Sequence, residues 1–133
     1  MSNKTVLHAT INAVLLGAVT FFLSGCVPLV VGAAAGAGGI IWAKGALEEE
    51  FNKPMDKVYE ATKAALKKLN VGILSDKKDD LSAKLEAEFA DGKKVWIDIT
   101  YLAPHNTKTS IRVGALGDEI RSREISEMIV KYL

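Results

Sequence analysis

The fold of this chain is decided by residues 81–113, which read LSAKLEAEFADGKKVWIDITYLAPHNTKTSIRV. Apolar and polar side chains alternate along three segments of this stretch, 81–89, 95–101 and 109–113. A period of two residues is typical of a β-strand that buries one face and exposes the other. The stretch therefore predicts three consecutive antiparallel strands joined by short loops.

The first loop of the stretch contains Asp91 and Gly92, a pair typical of two-residue hairpin turns. Such a turn would set apolar residues opposite charged ones here, because a shift of one residue turns every side chain to the other face. A three-residue loop at 90–92, with Gly92 in a left-handed conformation, avoids this conflict. It predicts that Leu85 faces Ile97.

The second loop of the stretch is predicted to be centred on His105. This placement keeps the apolar residues of the second and third strands on one face. It pairs Ile97 with Val113 and Ile99 with Ile111.

Two amphipathic helices are predicted, one on each side of this stretch. The first covers residues 54–69, because Pro54 suits a first helical turn and apolar residues recur at helical spacing after it. The second begins after Asp118, a good N-cap residue, and runs to the C-terminus. Its apolar stripe consists of Ile125, Met128, Ile129 and Tyr132.

Two shorter strands complete the predicted sheet. Residues 71–75 follow the first helix, and residues 46–51 form an edge strand with Leu47 and Phe51 on one face and the glutamates on the other. The predicted fold class is α+β, in the order β-α-β-β-β-β-α. It is a two-layer sandwich in which an antiparallel meander sheet is covered on one face by two helices.

The N-terminal third of the chain carries almost no charge. Lys4 is the only charged residue before Lys44, and residues 13–23 form an apolar run. This run is too short to cross a bilayer core of about 30 Å, and its length is that of the apolar region of a secretory signal peptide.

Residues 23–26, Leu-Ser-Gly-Cys, follow this run and resemble the lipobox of bacterial lipoproteins. By this resemblance residues 1–25 are a signal peptide that is removed. Cys26 then receives a diacylglyceryl thioether and an acyl chain, typically palmitate, on its new amine, and these chains together anchor the protein firmly. Val27 stands where an aspartate favours inner-membrane retention, so the resemblance implies the outer membrane, facing the periplasm.

Two interpretations of the next segment stay open. Residues 26–45 form a Gly/Ala-rich membrane-proximal tether ahead of a small periplasmic domain at 46–133. Alternatively, residues 27–43 insert into the bilayer and self-associate through Gly32 and Gly36, whose spacing permits close helix contact. A helix of that length would rise only about 25 Å, the lower limit for a span, and this favours the tether.

The remaining features give little support to a catalytic, metal-binding or nucleic-acid-binding function. A net charge of +1 lacks the basic excess of a nucleic-acid binder, and a single cysteine allows neither an intrachain disulfide nor a multi-thiolate metal site. His105 has no acid or second ligand nearby, and Ser82, Ser110 and Ser126 have no patterned histidine or aspartate partner. We predict a protein that is not an enzyme and has no cofactor, metal or small-molecule substrate.

Trp96 is the candidate contact residue, because the alternation turns this large ring out of the core. On the same face the predicted register places Asp98 between Lys84 and Arg112 as a ladder of opposite charges. Outward tryptophans often anchor interfaces. The predicted partners are the membrane, through the lipid on Cys26, and an envelope protein or the cell wall.

The lipobox, the tether and two further segments together resemble a family of small uncharacterised bacterial lipoproteins with a domain of unknown function. The two segments are LEEEFNKP at 47–54 and GALGDE at 114–119. The resemblance implies an envelope location and an α+β fold, and it brings no activity or functional residues. The hypothesis is a non-catalytic, membrane-anchored lipoprotein that acts as an interaction or structural module.

Overall fold

The structure is a computed structural model that describes residues 39–133. The strands in this part of the chain are β1 (Ile41–Ala43), β2 (Ala46–Phe51), β3 (Gly72–Lys78), β4 (Ser82–Glu88), β5 (Lys94–Ala103) and β6 (Asn106–Val113). The helices are α1 (Met55–Lys68) and α2 (Glu119–Tyr132). The predictions for the signal peptide, for Cys26 and for Gly32 and Gly36 lie outside the described residues.

The six strands form one antiparallel sheet in the order β1-β2-β6-β5-β4-β3. The two helices contact each other and pack on one face of the sheet, which confirms the predicted α+β architecture. Between the layers lie the largest fully buried apolar side chains, Phe51, Leu47, Leu66, Leu85, Ile97, Ile99, Ile111, Ile125 and Ile129. The other face, turned away from both helices, is called the open face below.

Both helices begin close to where the sequence predicts. Pro54 occupies the N-cap position of α1 with extended backbone angles, as expected for a proline that starts a helix. The Asp118 side chain accepts a hydrogen bond from the backbone N–H of Arg121 at 3.1 Å, so its predicted role as the N-cap of α2 is confirmed.

Strand β1 was not predicted, because residues 41–43 were assigned to the tether. It pairs with β2 through a two-residue turn at Lys44 and Gly45, both of which have positive φ. Positive φ at both central positions is the type I′ geometry that suits the twist of a hairpin. Trp42 faces the helices and packs, partly buried, against the core. The folded part of the chain therefore begins before residue 46.

The register of the meander is confirmed in one hairpin and wrong in the other. Leu85 faces Ile97 as predicted, and Gly92 has a φ of +83°. Between β5 and β6, however, Ile97 faces Ile111 and not Val113. The loop is shorter than predicted, because Ala103 pairs with Asn106, and an irregularity after Tyr101 restores the alternation.

Strand β2 differs from its prediction in two ways. It lies between β1 and β6 and is not at an edge. Its glutamates are not all on the solvent side, since Glu49 lies on the same face as Leu47 and Phe51 and is only 2% exposed. Glu49 faces inward because every second residue of a strand lies on the same face, and Glu49 stands between Leu47 and Phe51 in that alternation.

Candidate functional site

A shallow depression on the open face is the candidate contact site. Its volume is about 490 Å³, and it is lined by Ala46, Trp96, Asp98, Ser110, Arg112 and Ala115. Strands β2, β5 and β6 and the loop after β6 contribute these residues. The depression therefore draws on segments that are distant in sequence and are brought together by the sheet.

Trp96 lies on the open face because the residues on either side of it in β5, Val95 and Ile97, are buried in the core. Its cross-strand neighbours are Glu86 on β4 and Arg112 on β6, and its ring is half-buried. The prediction that Trp96 points out of the core is confirmed. Its role as a partner contact stays a prediction.

Arg112 holds one side of the depression in place. Its Nη2 donates a hydrogen bond of 2.6 Å to the backbone carbonyl of Lys44, in the turn between β1 and β2. The predicted ladder placed Arg112 beside Asp98, but the observed register sets it opposite Trp96 and sets Asp98 opposite Ser110. The site thus pairs a tryptophan with a fixed arginine, which are the residue types that most often dominate binding energy at interfaces.

The charges around the depression are largely compensated within the sheet. Lys84 Nζ lies 3.3 Å from Asp98 Oδ1, which confirms that half of the predicted ladder, and Lys108 Nζ lies 2.7 Å from Glu48 Oε2. Two ion pairs thus flank a tryptophan and an arginine, which are residue types enriched at protein–protein interfaces.

A second polar cluster joins the loop before β5 to the start of α2. Arg121 donates hydrogen bonds of 3.1 and 2.6 Å to the two carboxylate oxygens of Asp91, and its guanidinium lies over the Phe89 ring. These bonds lower the pKa of Asp91 to about 2. Lys93 and the Arg121 backbone N–H likewise lower the pKa of Asp118. The Asp118 carboxylate already bonds one backbone N–H of this helix N-terminus, and the cluster fastens the loop to α2.

A third cluster, which the sequence patterns did not reveal, lies where α1 crosses β3. The Tyr59 hydroxyl donates to Asp76, with 2.7 Å to each carboxylate oxygen, and Lys63 Nζ lies 3.1 Å from the same carboxylate. The hydrogen bond from Tyr59 lowers the pKa of Asp76, whereas burial raises the pKa of Tyr59. Both pKa values move away from neutrality, so the cluster is suited to a permanent network more than to proton transfer near pH 7.

Glu49 is the buried acid that sequence reasoning missed. Its carboxylate accepts a hydrogen bond from the Ser126 hydroxyl of α2, and its backbone carbonyl accepts one from the Thr109 hydroxyl at 3.3 Å. Burial raises the pKa of Glu49, and the hydrogen bond from Ser126 partly opposes this. The pair fixes α2 on β2 with a titratable group inside the core.

The other sequence candidates are not brought together into a site. His105 is exposed in the turn between β5 and β6. Among residues 39–133, no group of three or more His, Cys, Asp or Glu side chains is placed to hold a metal ion. Within the same range, neither helix has the length and apolar character needed to cross a membrane.

The described part of the protein is a small α+β domain. It has an open antiparallel sheet, with two helices on one face and the depression that contains Trp96 and Arg112 on the other. The chain belongs to the family described as protein of unknown function (DUF3568), which it matches over residues 9–132. The matched range includes Cys26 and all the described helices and strands. No curated protein matches this chain.

Proposed function

We propose that this protein is a non-catalytic lipoprotein of the bacterial cell envelope, anchored through a lipid on Cys26, whose open sheet face binds another envelope protein. The observation that carries the proposal is the Trp96–Arg112 pair in the depression of the open face. A half-buried tryptophan beside an arginine fixed by a backbone carbonyl is pre-organised for contact, because little side-chain freedom is lost on binding.

The anchor is supported by the sequence around Cys26. The only cysteine of the chain stands directly after an apolar run and two small residues, where a lipoprotein precursor carries its modified residue. Residues 27–38 then connect Cys26 to the first described residue, Gly39. We infer the outer membrane as the location from Val27, and a periplasmic position for the domain.

The alternative, self-association through an inserted segment at 27–43, is less well supported. Residues 41–43 form β1, and Trp42 packs against the core of the domain. A helix that ended before β1 could extend at most over residues 27–40 and would rise about 21 Å, which is short of a bilayer core of about 30 Å.

The anchor is tested by intact-mass analysis of the protein purified from the membrane fraction. We expect a mass that lacks residues 1–25 and carries a diacylglyceryl group and an acyl chain on Cys26. A Cys26→Ser variant should lack both groups and be lost from the membrane fraction. A soluble full-length chain, or an unmodified Cys26, would contradict the lipid anchor.

The contact surface is tested by placing a photo-crosslinking phenylalanine analogue at position 96 in living cells. We expect an adduct with a single protein partner from position 96. The matched control places the same group at Lys57, an exposed residue of α1 on the helical side, and should give none. No adduct at position 96, the same adducts at both positions, or an adduct that muramidase digestion releases as cell-wall material would each contradict a protein partner on the open face.

A further inference from the structure

Two large apolar side chains in the described part of the chain are almost completely exposed. Leu116 is 94% exposed and Ile120 is 82% exposed, the two highest values among the large hydrophobic residues. Both line a shallow depression of about 690 Å³ between β6 and the start of α2. Single exposed apolar residues are common, and two that border one depression mark a candidate contact surface. These two residues are called the apolar ridge.

The apolar ridge is held rigidly by the neighbouring turn. A Cβ on Gly117 would lie 2.6 Å from Gly45 Cα, and a Cβ on Gly45 would lie 2.7 Å from the Leu116 carbonyl oxygen. Only two glycines permit this approach of the backbones. The loop that carries Leu116 is therefore packed closely against the β1–β2 turn, and the Leu116 side chain is exposed although its backbone is held in place.

Two of the acidic groups next to the apolar ridge are paired with basic ones. Lys93 Nζ lies 2.8 Å from Asp118 Oδ2, and Arg123 Nη2 lies 2.7 Å from Glu119 Oε1. Lys44, in the turn that touches the ridge, adds an exposed positive charge. Pairing thus neutralises two of the carboxylates beside the ridge, while Glu124, one helical turn beyond Ile120, is an exposed carboxylate. Lys44, Lys93 and Arg123 supply the positive charges that favour an approach to lipid phosphates.

The position of the ridge relative to the incoming chain indicates which surface covers it. The described chain enters at Gly39, forms β1, and turns at Lys44 and Gly45, where it contacts the ridge loop. Residues 27–38 join Cys26 to Gly39, and twelve residues of any conformation can span at most about 40 Å. A lipid on Cys26 would therefore keep Gly39 within about 40 Å of the bilayer, and the ridge loop lies at the far end of the three-residue strand β1.

We propose that the apolar ridge is a membrane-contact surface, which inserts into the interfacial layer of the bilayer to which Cys26 anchors the chain. This inference rests on the lipid anchor of the proposed function and deepens it. Leu116 and Ile120 enter the boundary between headgroups and acyl chains, as the apolar side of an interfacial segment does. The domain then has a defined orientation on the membrane.

The orientation is measured with the full lipidated protein, reconstituted into vesicles of phosphatidylethanolamine and phosphatidylglycerol. A lipid thioether on Cys26 leaves no other thiol, so a single introduced cysteine takes an environment-sensitive fluorophore. Leu116→Cys and Ile120→Cys report on the ridge. Leu74→Cys, at the opposite edge of the sheet, and Leu81→Cys, before β4, are matched controls because these leucines are also exposed, at 60% and 63%.

We expect a blue shift and several-fold stronger quenching by spin-labelled lipids at positions 116 and 120 than at 74 and 81. Equal quenching at all four positions, or the strongest quenching at position 74, would overturn the inference while leaving the lipid anchor intact. Labelling of the wild-type chain would show a free Cys26. That result would contradict the anchor itself and, with it, the membrane contact that depends on it.

Discussion

Replacement of Gly117 by alanine is expected to lower the free energy of unfolding by about 3 kcal/mol. Gly117 has a φ of +83°, and an added Cβ would lie 2.6 Å from Gly45 Cα and 2.7 Å from its carbonyl carbon. All the atoms it meets belong to the backbone, so no change of rotamer relieves the overlap. Urea unfolding followed by the fluorescence of Trp42 and Trp96 measures the loss as a lower midpoint.

The matched control for this variant is Gly92→Ala. Gly92 also has a φ of +83°, but a Cβ at this position would have no atom within 4 Å. It should therefore show only the cost of the left-handed backbone, about 1 kcal/mol. If both variants lose the same free energy, the contact between the β1–β2 turn and the Leu116 loop does not hold the loop rigidly, and the argument for a fixed apolar ridge fails.

The sequence predicts which residues of β4, β5 and β6 face the core, but it does not predict the register of β5 against β6. A shift of one residue would have turned Ile97 outward and is excluded by the alternation. A shift of two residues keeps every side chain on its face, so the apolar pattern does not detect it. The short turn from Ala103 to Asn106 and the irregularity after Tyr101 together set the register, and they place Arg112 beside Trp96. The candidate site therefore depends on a feature that alternation does not encode.

The buried acid was missed because an amphipathic pattern treats every glutamate as solvent-facing. The spacing of Leu47, Glu49 and Phe51 does place Glu49 inward, and this signal was available in the sequence. What makes its burial tolerable is the hydroxyl of Ser126, 77 residues further along the chain. Ser126 can be identified as the partner of Glu49 only when the packing of α2 against β2 is known.

Strand β1 was missed for a different reason. The run from Ile40 to Ala43 continues the uncharged composition of the preceding segment, so it resembles the tether. Lys44 and Gly45 form a type I′ turn without the Asn-Gly or Asp-Gly pair that usually marks one. Trp42, which belongs to the segment assigned to the tether, packs against the core of the domain.

Replacement of Glu49 by glutamine is expected to stabilise the protein at neutral pH and to have little effect in acid. Burial raises the pKa of Glu49 above its ordinary value of 4.5, so the folded protein holds this proton more tightly than the unfolded chain. The resulting stabilisation is complete below pH 4.5 and is lost as the pH rises through the folded-state pKa. Above that point each unit of the pKa shift costs the wild-type protein about 1.4 kcal/mol.

The measurement is the difference in free energy of unfolding between Glu49→Gln and wild type at about pH 4 and about pH 8. Subtraction cancels the acid loss of the paired carboxylates, such as Asp91, because both proteins share it. Glu50→Gln is the matched control, since it removes an exposed carboxylate from the same strand and leaves the core unchanged. Glutamine can still accept the hydrogen bond from Ser126, so a loss of stability at both pH values would mean that the charged carboxylate is required in the core. A difference that stays constant with pH would show that Glu49 titrates alike in the folded and unfolded chains, which is incompatible with its burial between β2 and α2.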